Sequence, residues 1–144
     1  MTRTVSLIGA PTDVGASVRG AGMGPDALRV AGIAEALRAH RLEVVDRGNL
    51  AGPPNPWKPP QDGVRHLEEV TAWNWAVYSA VDLALADGHV PLLMGGDHCL
   101  AIGSISAVAR HCRAQGRQLR VIWLDAHSDV NTEAISPSGN LHGM

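Results

Sequence analysis

The chain has 144 residues, a formal net charge of −2 and 45% hydrophobic residues. Its length limits it to one domain, and its apolar content predicts a globular core rather than disorder. The near-neutral charge, without any basic run, argues against a nucleic-acid-binding or anionic-membrane surface. The apolar run near the N-terminus is too short for a signal peptide or a membrane span.

Four short, continuous apolar runs predict strands that are covered on both faces. They lie at residues 5–10, 42–46, 90–96 and 120–126. Three helical patterns alternate with these strands. They cover residues 24–40, about 64–87 and about 100–114. This alternation predicts an α/β fold, in which helices flank a mostly parallel sheet in three α/β/α layers.

Two stretches predict irregular structure. Residues 52–63 contain five of the nine prolines and predict an ordered surface loop. The glycine-rich residues 15–25 lack both the G-x-G-x-x-G and the G-K-[ST] patterns of nucleotide loops. They predict a loop that packs against its neighbours or lies beside a substrate. Neither an internal repeat nor a second-domain boundary is evident.

Chemistry-bearing side chains follow two of the predicted strands. Asp125, His127 and Asp129 alternate at the end of the last strand, and Asp97 and His98 follow the preceding one. Alternate residues of an extended segment point to the same side, and the carboxyl ends of parallel strands share one rim. We therefore expect these groups to converge.

Crowded carboxylates and imidazoles repel and desolvate one another unless a cation lies between them. Asp and His ligands without a thiolate suit Mn²⁺, Fe²⁺ or Zn²⁺, and a high carboxylate content favours manganese. A simple Asp–His hydrogen bond is the alternative for an isolated D-x-H. For Asp97 alone, the alternatives are orienting His98 or capping the next helix.

The last fourteen residues add small polar groups and a histidine. The candidates are Asn131, Ser136, Ser138, Asn140 and His142. By itself this segment predicts an ordinary turn-forming loop. Beside a metal site, such a loop suits a polar substrate, and His142 suits proton transfer near neutral pH.

The other histidines and the cysteines predict no chemistry. His40, His66, His89 and His111 are assigned to surface or capping roles. Cys99 and Cys112 fall in one predicted helix without C-x-x-C spacing, which argues against a disulfide framework and a structural zinc site. Two cysteines in this context predict a reducing, cytoplasmic location.

Three motifs carry a family resemblance. GGDHCLAIGSIS, DAHSDVNT and SPSGNLHGM resemble the N-terminal signatures of the ureohydrolases, and of arginase in particular. Asn131-Thr132 and Ser-Gly-Asn-x-His-Gly favour arginase over agmatinase or formiminoglutamase. The resemblance implies an arginase/deacetylase-like fold, of which residues 1–144 would be the N-terminal portion, about half of a single domain.

The resemblance also implies a reaction and its cofactor. A binuclear Mn²⁺ site with a bridging hydroxide would split L-arginine into L-ornithine and urea. By motif matching, His98 and Asp129 would serve one manganese, His127 the other, and Asp125 would bridge them. Asn131, Ser136 and Ser138 match positions that hold the substrate α-carboxylate.

Asn140 belongs to the same substrate-binding loop as these three residues. His142 matches the histidine beside the leaving group. The small-molecule substrate would be L-arginine, and a homo-oligomer is expected for the full-length parent.

This chain departs from the family in two respects. Cys99 replaces the usual Ser, a change expected to be tolerated, and the family's chain is about twice as long. The family's second half supplies an Asp-x-Asp pair of ligands, so we expect a fragment that is inactive, or nearly so, alone. The alternatives are another ureohydrolase, a zinc deacetylase of the same broad fold, and a non-catalytic half-domain that binds metal or a partner.

Overall fold

The computed structural model of the chain describes residues 3–144. Strands and helices alternate along these residues. They are β1 (Thr4–Ala10), α1 (Gly24–Val30), α2 (Ile33–Ala39), β2 (Glu43–Asn49), α3 (Leu67–Ala86), β3 (Val90–Gly95) and α4 (Ala101–Ala114). Short 3-10 turns lie at Ala21–Met23, His98–Leu100 and Leu141–Gly143.

The three strands form a parallel sheet in the order β2-β1-β3. Leu7 in the central strand is in register with Asp46 of β2 on one side and Leu92 of β3 on the other. Parallel neighbours require crossover connections, which the helices between the strands provide. The predicted α/β class with a parallel sheet is therefore confirmed.

Both faces of β1 are covered, which produces the layered packing. Ile8 is fully buried in a cluster with Val77 and Val81 of α3. The adjacent Leu7 faces the opposite side, where it packs in a cluster with Ile33 of α2. Successive strand side chains point to opposite faces, so two helical layers enclose the sheet.

Two predicted elements differ from the structure in detail. The helix predicted at residues 24–40 is two helices, because Gly32 adopts a left-handed φ of 82° between them. The prediction of strands covered on both faces is confirmed for β1 and wrong for β2. Val44 of β2 packs against a buried cluster on one face, whereas Val45, which points to the other face, is 41% exposed.

The strand predicted at residues 120–126 is absent from the structure. Between residues 118 and 130, the described chain makes no backbone–backbone hydrogen bond, and the apolar side chains of Ile122 and Leu124 are 78% and 93% exposed. A strand requires a neighbour for its N–H and C=O groups. An apolar pattern without that neighbour does not produce a strand.

The proline-rich residues 52–63 form a loop, as predicted. The loop is fixed to the helical layer by Trp73, whose indole Nε1 donates to the Pro53 carbonyl at 2.9 Å. Trp73 is buried, whereas Trp75 is largely exposed. Among residues 3–144, no helix combines the length and the apolar character needed to cross a membrane.

Candidate metal and substrate site

The turn after β3 positions the first part of the site. Asp97 is buried and caps the 3-10 turn, because its Oδ1 accepts from the backbone N–H of Cys99 at 3.0 Å. The same Oδ1 lies 3.1 Å from Nδ1 of His142. Of the two alternatives for Asp97, capping is therefore confirmed, and the histidine that it contacts through a hydrogen bond is His142 rather than His98.

The glycine-rich residues 15–25 pack against this turn. A Cβ atom added at Gly15 would lie 2.6 Å from Oδ2 of Asp97 and 2.8 Å from Sγ of Cys99. Such distances are shorter than real contacts, so only glycine fits here. The loop therefore has the packing role, and Cys99 is almost fully buried beneath it.

Asp97 and His142 affect each other's protonation. Burial, the largest influence on Asp97, opposes ionisation, but hydrogen bonds from His142 and the Cys99 N–H leave its pKa below the ordinary value. The hydrogen bond to Asp97 raises the pKa of His142 above its ordinary value, against a smaller effect of burial. The pair therefore favours a carboxylate beside a protonated ring.

Three of the predicted ligands converge. His98, Asp125 and Asp129 each offer one ligand atom, and these atoms lie within 4.8 Å of one another. Oδ2 of Asp129 is 4.0 Å from Nδ1 of His98 and accepts a hydrogen bond from the Trp123 indole at 3.3 Å. The rings of Trp123 and His98 meet in a T-shaped arrangement, with centroids 5.7 Å apart.

Asp129 reaches the group through a turn rather than through strand alternation. Its backbone has a left-handed φ of 48°, so the prediction that Asp125, His127 and Asp129 alternate along an extended segment is wrong. His127 lies beside the group rather than in it. Its side chain is 83% exposed, and Nδ1 is 3.3 Å from Oδ1 of Asp125.

The donor set fits a divalent cation. Nδ1 of His98 is shielded from solvent and has no hydrogen-bond partner among the described residues. An unpartnered buried imidazole nitrogen facing two carboxylates is costly unless a ligand completes it. The backbone N–H of His127 holds the pKa of Asp125 below its ordinary value, which keeps that group an anionic donor.

The predicted substrate residues line a cavity beside this group. The cavity has a volume of about 640 Å³. Its lining comprises His98, Ala126, His127, Ser128, Asp129, Asn131, Ser136, Pro137, Ser138, Asn140, His142 and Gly143. The His142 ring stacks on the His98 ring, with centroids 4.7 Å apart. We call residues 131–140 the substrate loop, after the role that the sequence predicts for them.

Local hydrogen bonds shape the substrate loop. Oγ of Ser136 accepts from the backbone N–H of Gly139 at 3.0 Å, and Oγ of Ser138 accepts from that of Asn140 at 3.2 Å. The hydroxyl protons of both serines then remain able to donate to a bound anion. The loop therefore presents two hydroxyl donors at the cavity that His98 and Asp129 also line.

Sequence reasoning missed two residues next to the site. Arg65 contacts the substrate loop, and no motif or spacing in the sequence indicated it. His66 was assigned a surface or capping role, but it is only 8% exposed, so the surface assignment is wrong. It precedes α3 and contacts Val14 and Lys58, a role that only the folded chain reveals.

Comparisons with known proteins identify the family of the chain. The model of the Arginase family matches residues 3–144. The chain belongs to the arginase family. It is 42% identical to an arginase from Bacillus caldovelox over an alignment of 144 positions, which covers 99% of this chain and 47% of that protein.

Solved structures of the family share the fold. The native structure of arginase from Bacillus caldovelox matches 99% of this chain and 47% of its own, with a TM-score of 0.89 and 40% identity. An Entamoeba histolytica arginase in complex with L-ornithine matches all of this chain and 49% of its own, with a TM-score of 0.87 and 28% identity. The chain spans about half the length of the relatives that it matches.

Proposed function

We propose that the protein is a manganese-dependent ureohydrolase that cleaves the guanidinium group of L-arginine to give L-ornithine and urea. The observation that carries this proposal is the convergence of His98, Asp125 and Asp129 at a cavity lined by the substrate loop. Family membership supports the reaction class. The Asn131-Thr132 and Ser-Gly-Asn-x-His-Gly motifs favour arginase over agmatinase or formiminoglutamase.

In this proposal, His98, Asp125, His127 and Asp129 would hold two manganese ions. His98 and Asp129 would serve one ion, His127 the other, and Asp125 both. Nδ1 of His127 lies 3.3 Å from Oδ1 of Asp125, so this fourth ligand is beside the other three. Bound manganese would supply a Lewis acid that lowers the pKa of water enough for attack on the guanidinium carbon near neutral pH.

The substrate loop binds and orients arginine. The amide of Asn131 and the hydroxyls of Ser136 and Ser138 donate to the α-carboxylate, and Asn140 belongs to the same loop. His142 holds a proton, because Asp97 accepts from its Nδ1 and stabilises the charged ring. The charged ring carries a second proton on Nε2, and that proton is available to the leaving amine.

The 144-residue chain alone is proposed to turn over little or no arginine. The described ligand group has three convergent members, and the segment that carries Asp125 and Asp129 lacks strand neighbours. Residues 1–144 would then act as the N-terminal portion of a single ureohydrolase domain. The two free cysteines support a reducing cytoplasm, and a homo-oligomer of the full-length parent stays a prediction.

Urea release by the full-length protein encoded by the gene tests the proposal. L-Arginine, agmatine and formiminoglutamate are offered separately with Mn²⁺, and the product measured is urea for the first two and formamide for the third. We expect urea from L-arginine, a loss of roughly 100-fold or more in kcat/KM for Asp129→Asn, and none for Asp62→Asn, which changes an exposed loop carboxylate in the same way.

Other outcomes would identify the alternatives. Turnover of agmatine or formiminoglutamate in place of arginine would identify another ureohydrolase. The absence of turnover with every substrate would favour the non-catalytic half-domain. Substantial urea release by the purified 144-residue chain would contradict the proposed dependence on further ligands.

A further inference from the structure

Arg65 donates hydrogen bonds to three consecutive residues of the substrate loop. Its Nε donates to Oδ1 of Asn140 at 3.1 Å, its Nη2 to the Ser138 carbonyl at 3.4 Å, and its backbone N–H to the Gly139 carbonyl at 2.8 Å. A guanidinium presents its donors in a rigid planar fork, so these bonds fix the loop in orientation as well as in place.

Arg65 is itself held from the other side. Its Nη1 donates to the Lys58 carbonyl in the proline-rich loop at 2.7 Å. The next residue, His66, accepts from the Lys58 N–H at 3.0 Å through Nε2, and its Nδ1 lies 2.7 Å from the Val14 carbonyl. The Arg65 guanidinium is therefore held by the proline-rich loop, and the adjacent His66 connects the start of α3 to that loop and to Val14.

The side chain of Asn140 completes the connection. Asn140 is 7% exposed, and its Nδ2 donates to Oγ of Ser17 at 3.2 Å while its Oδ1 accepts from Arg65. Both ends of the amide are thus occupied by the scaffold. Asn140 is placed to hold the loop rather than to contact a substrate directly.

We propose that Arg65 is the positioning residue of the substrate loop and that it sets the locations of the Ser136 and Ser138 hydroxyls through Asn140 and the loop carbonyls. This inference rests on the proposed function for its catalytic consequence. Within residues 132–136, the loop has only local backbone bonds, such as Ser136 N–H to the Thr132 carbonyl at 2.9 Å. Without the Arg65 side chain, the far end of the loop would keep the backbone bond from residue 65 to Gly139 and the bond from Asn140 to Ser17, but it would lose both guanidinium bonds.

The expected consequence is weaker binding rather than slower chemistry. The two hydroxyls act on the α-carboxylate, which lies away from the reacting guanidinium, so displacing them raises KM more than it lowers kcat. Small misplacements of positioning groups cost up to about 100-fold. For Arg65→Ala we expect KM for L-arginine to rise about 10-fold or more, with kcat changed less than about threefold.

The experiment compares the full-length wild-type protein, Arg65→Ala, Arg65→Lys and the control Arg113→Ala, which removes an exposed arginine at the end of α4. Urea release with Mn²⁺ gives KM and kcat. Hydrogen–deuterium exchange gives the protection of peptides covering residues 131–140. Lysine keeps the positive charge but cannot donate from several nitrogens in one plane. The KM of Arg65→Lys should therefore stay close to that of Arg65→Ala, and its loop should be less protected than that of the wild type.

The two readouts separate the two proposals. If the wild type releases no urea, the proposed function fails, and exchange decides whether Arg65 orders the loop. Faster exchange in residues 131–140 with unchanged α3 and α4 supports the inference. Unchanged loop exchange in both variants, or a loss of kcat at constant KM, overturns it. If Arg65→Ala does not fold, Arg65→Lys supplies the same comparison.

Discussion

Two segments with similar apolar patterns behave differently in this molecule. Residues 90–95 form β3, which pairs with β1 along its length and buries Met94 completely. Residues 120–126 have an equally continuous apolar run, but they form no ladder and leave Leu124 almost wholly in solvent. An apolar run becomes a strand only where a neighbouring strand and a covering layer exist.

The largest expected effect on the free energy of unfolding comes from replacing one leucine in β1, and the same replacement in residues 120–126 should have almost no effect. Leu7→Ala should reduce the free energy of unfolding by about 2–5 kcal/mol, because Leu7 is completely buried in β1. Leu124→Ala should change it by less than about 0.5 kcal/mol, because the side chain is exposed. Urea unfolding of the 144-residue chain measures both. Equal losses would contradict the contrast between the two regions.

A smaller effect tests the ion pair that connects α1 to the edge strand β2. Arg29 of α1 pairs with Asp46 of β2 at 2.8 Å, and this hydrogen bond is the main cause that holds the pKa of Asp46 below its ordinary value of 3.8. The pair therefore stabilises the fold above that value, and its contribution is lost as the pH falls through the lower pKa of the folded state.

The corresponding measurement is the unfolding free energy between pH 6 and pH 3. Arg29→Ala should remove about 0.2–1 kcal/mol at pH 6 and progressively less on acidification, because the Asp46 side chain is 40% exposed and solvent screens the pair. Arg38→Ala is the control, since Arg38 contacts the more exposed Glu35 at 3.4 Å. A constant loss across the pH range would show that the ion pair is not responsible.

Much of the fold was predictable because its patterns are local. The spacing of apolar residues and the positions of glycine and proline predicted the bounds of β1, β3, α3 and α4 to within a few residues. The break at Gly32 was missed because the apolar spacing continues through it, while the left-handed φ is visible only in the structure. The prediction of a strand at residues 120–126 was wrong, because a strand forms only beside a pairing partner and a local sequence pattern does not show whether that partner exists.

The candidate site was predictable in its residues but not in its connections. The rule that parallel strands carry ligands at their carboxyl ends placed His98 correctly after β3. Asp125 and Asp129 were expected near it, but they arrive through a turn rather than through alternation. The contacts of Arg65 and His66 were not predicted, because their side-chain partners lie 52 or more residues away in the chain, apart from Lys58.

The central claim is that His98, Asp125 and Asp129 form a cation site, and Mn²⁺ binding tests it most directly. Electron paramagnetic resonance of free Mn²⁺ measures binding to the 144-residue chain without any need for turnover. We expect saturable binding that Asp125→Asn and Asp129→Asn each weaken by roughly 10-fold or more and that Asp62→Asn leaves unchanged. Equal binding by the wild type and by both site variants would contradict the claim.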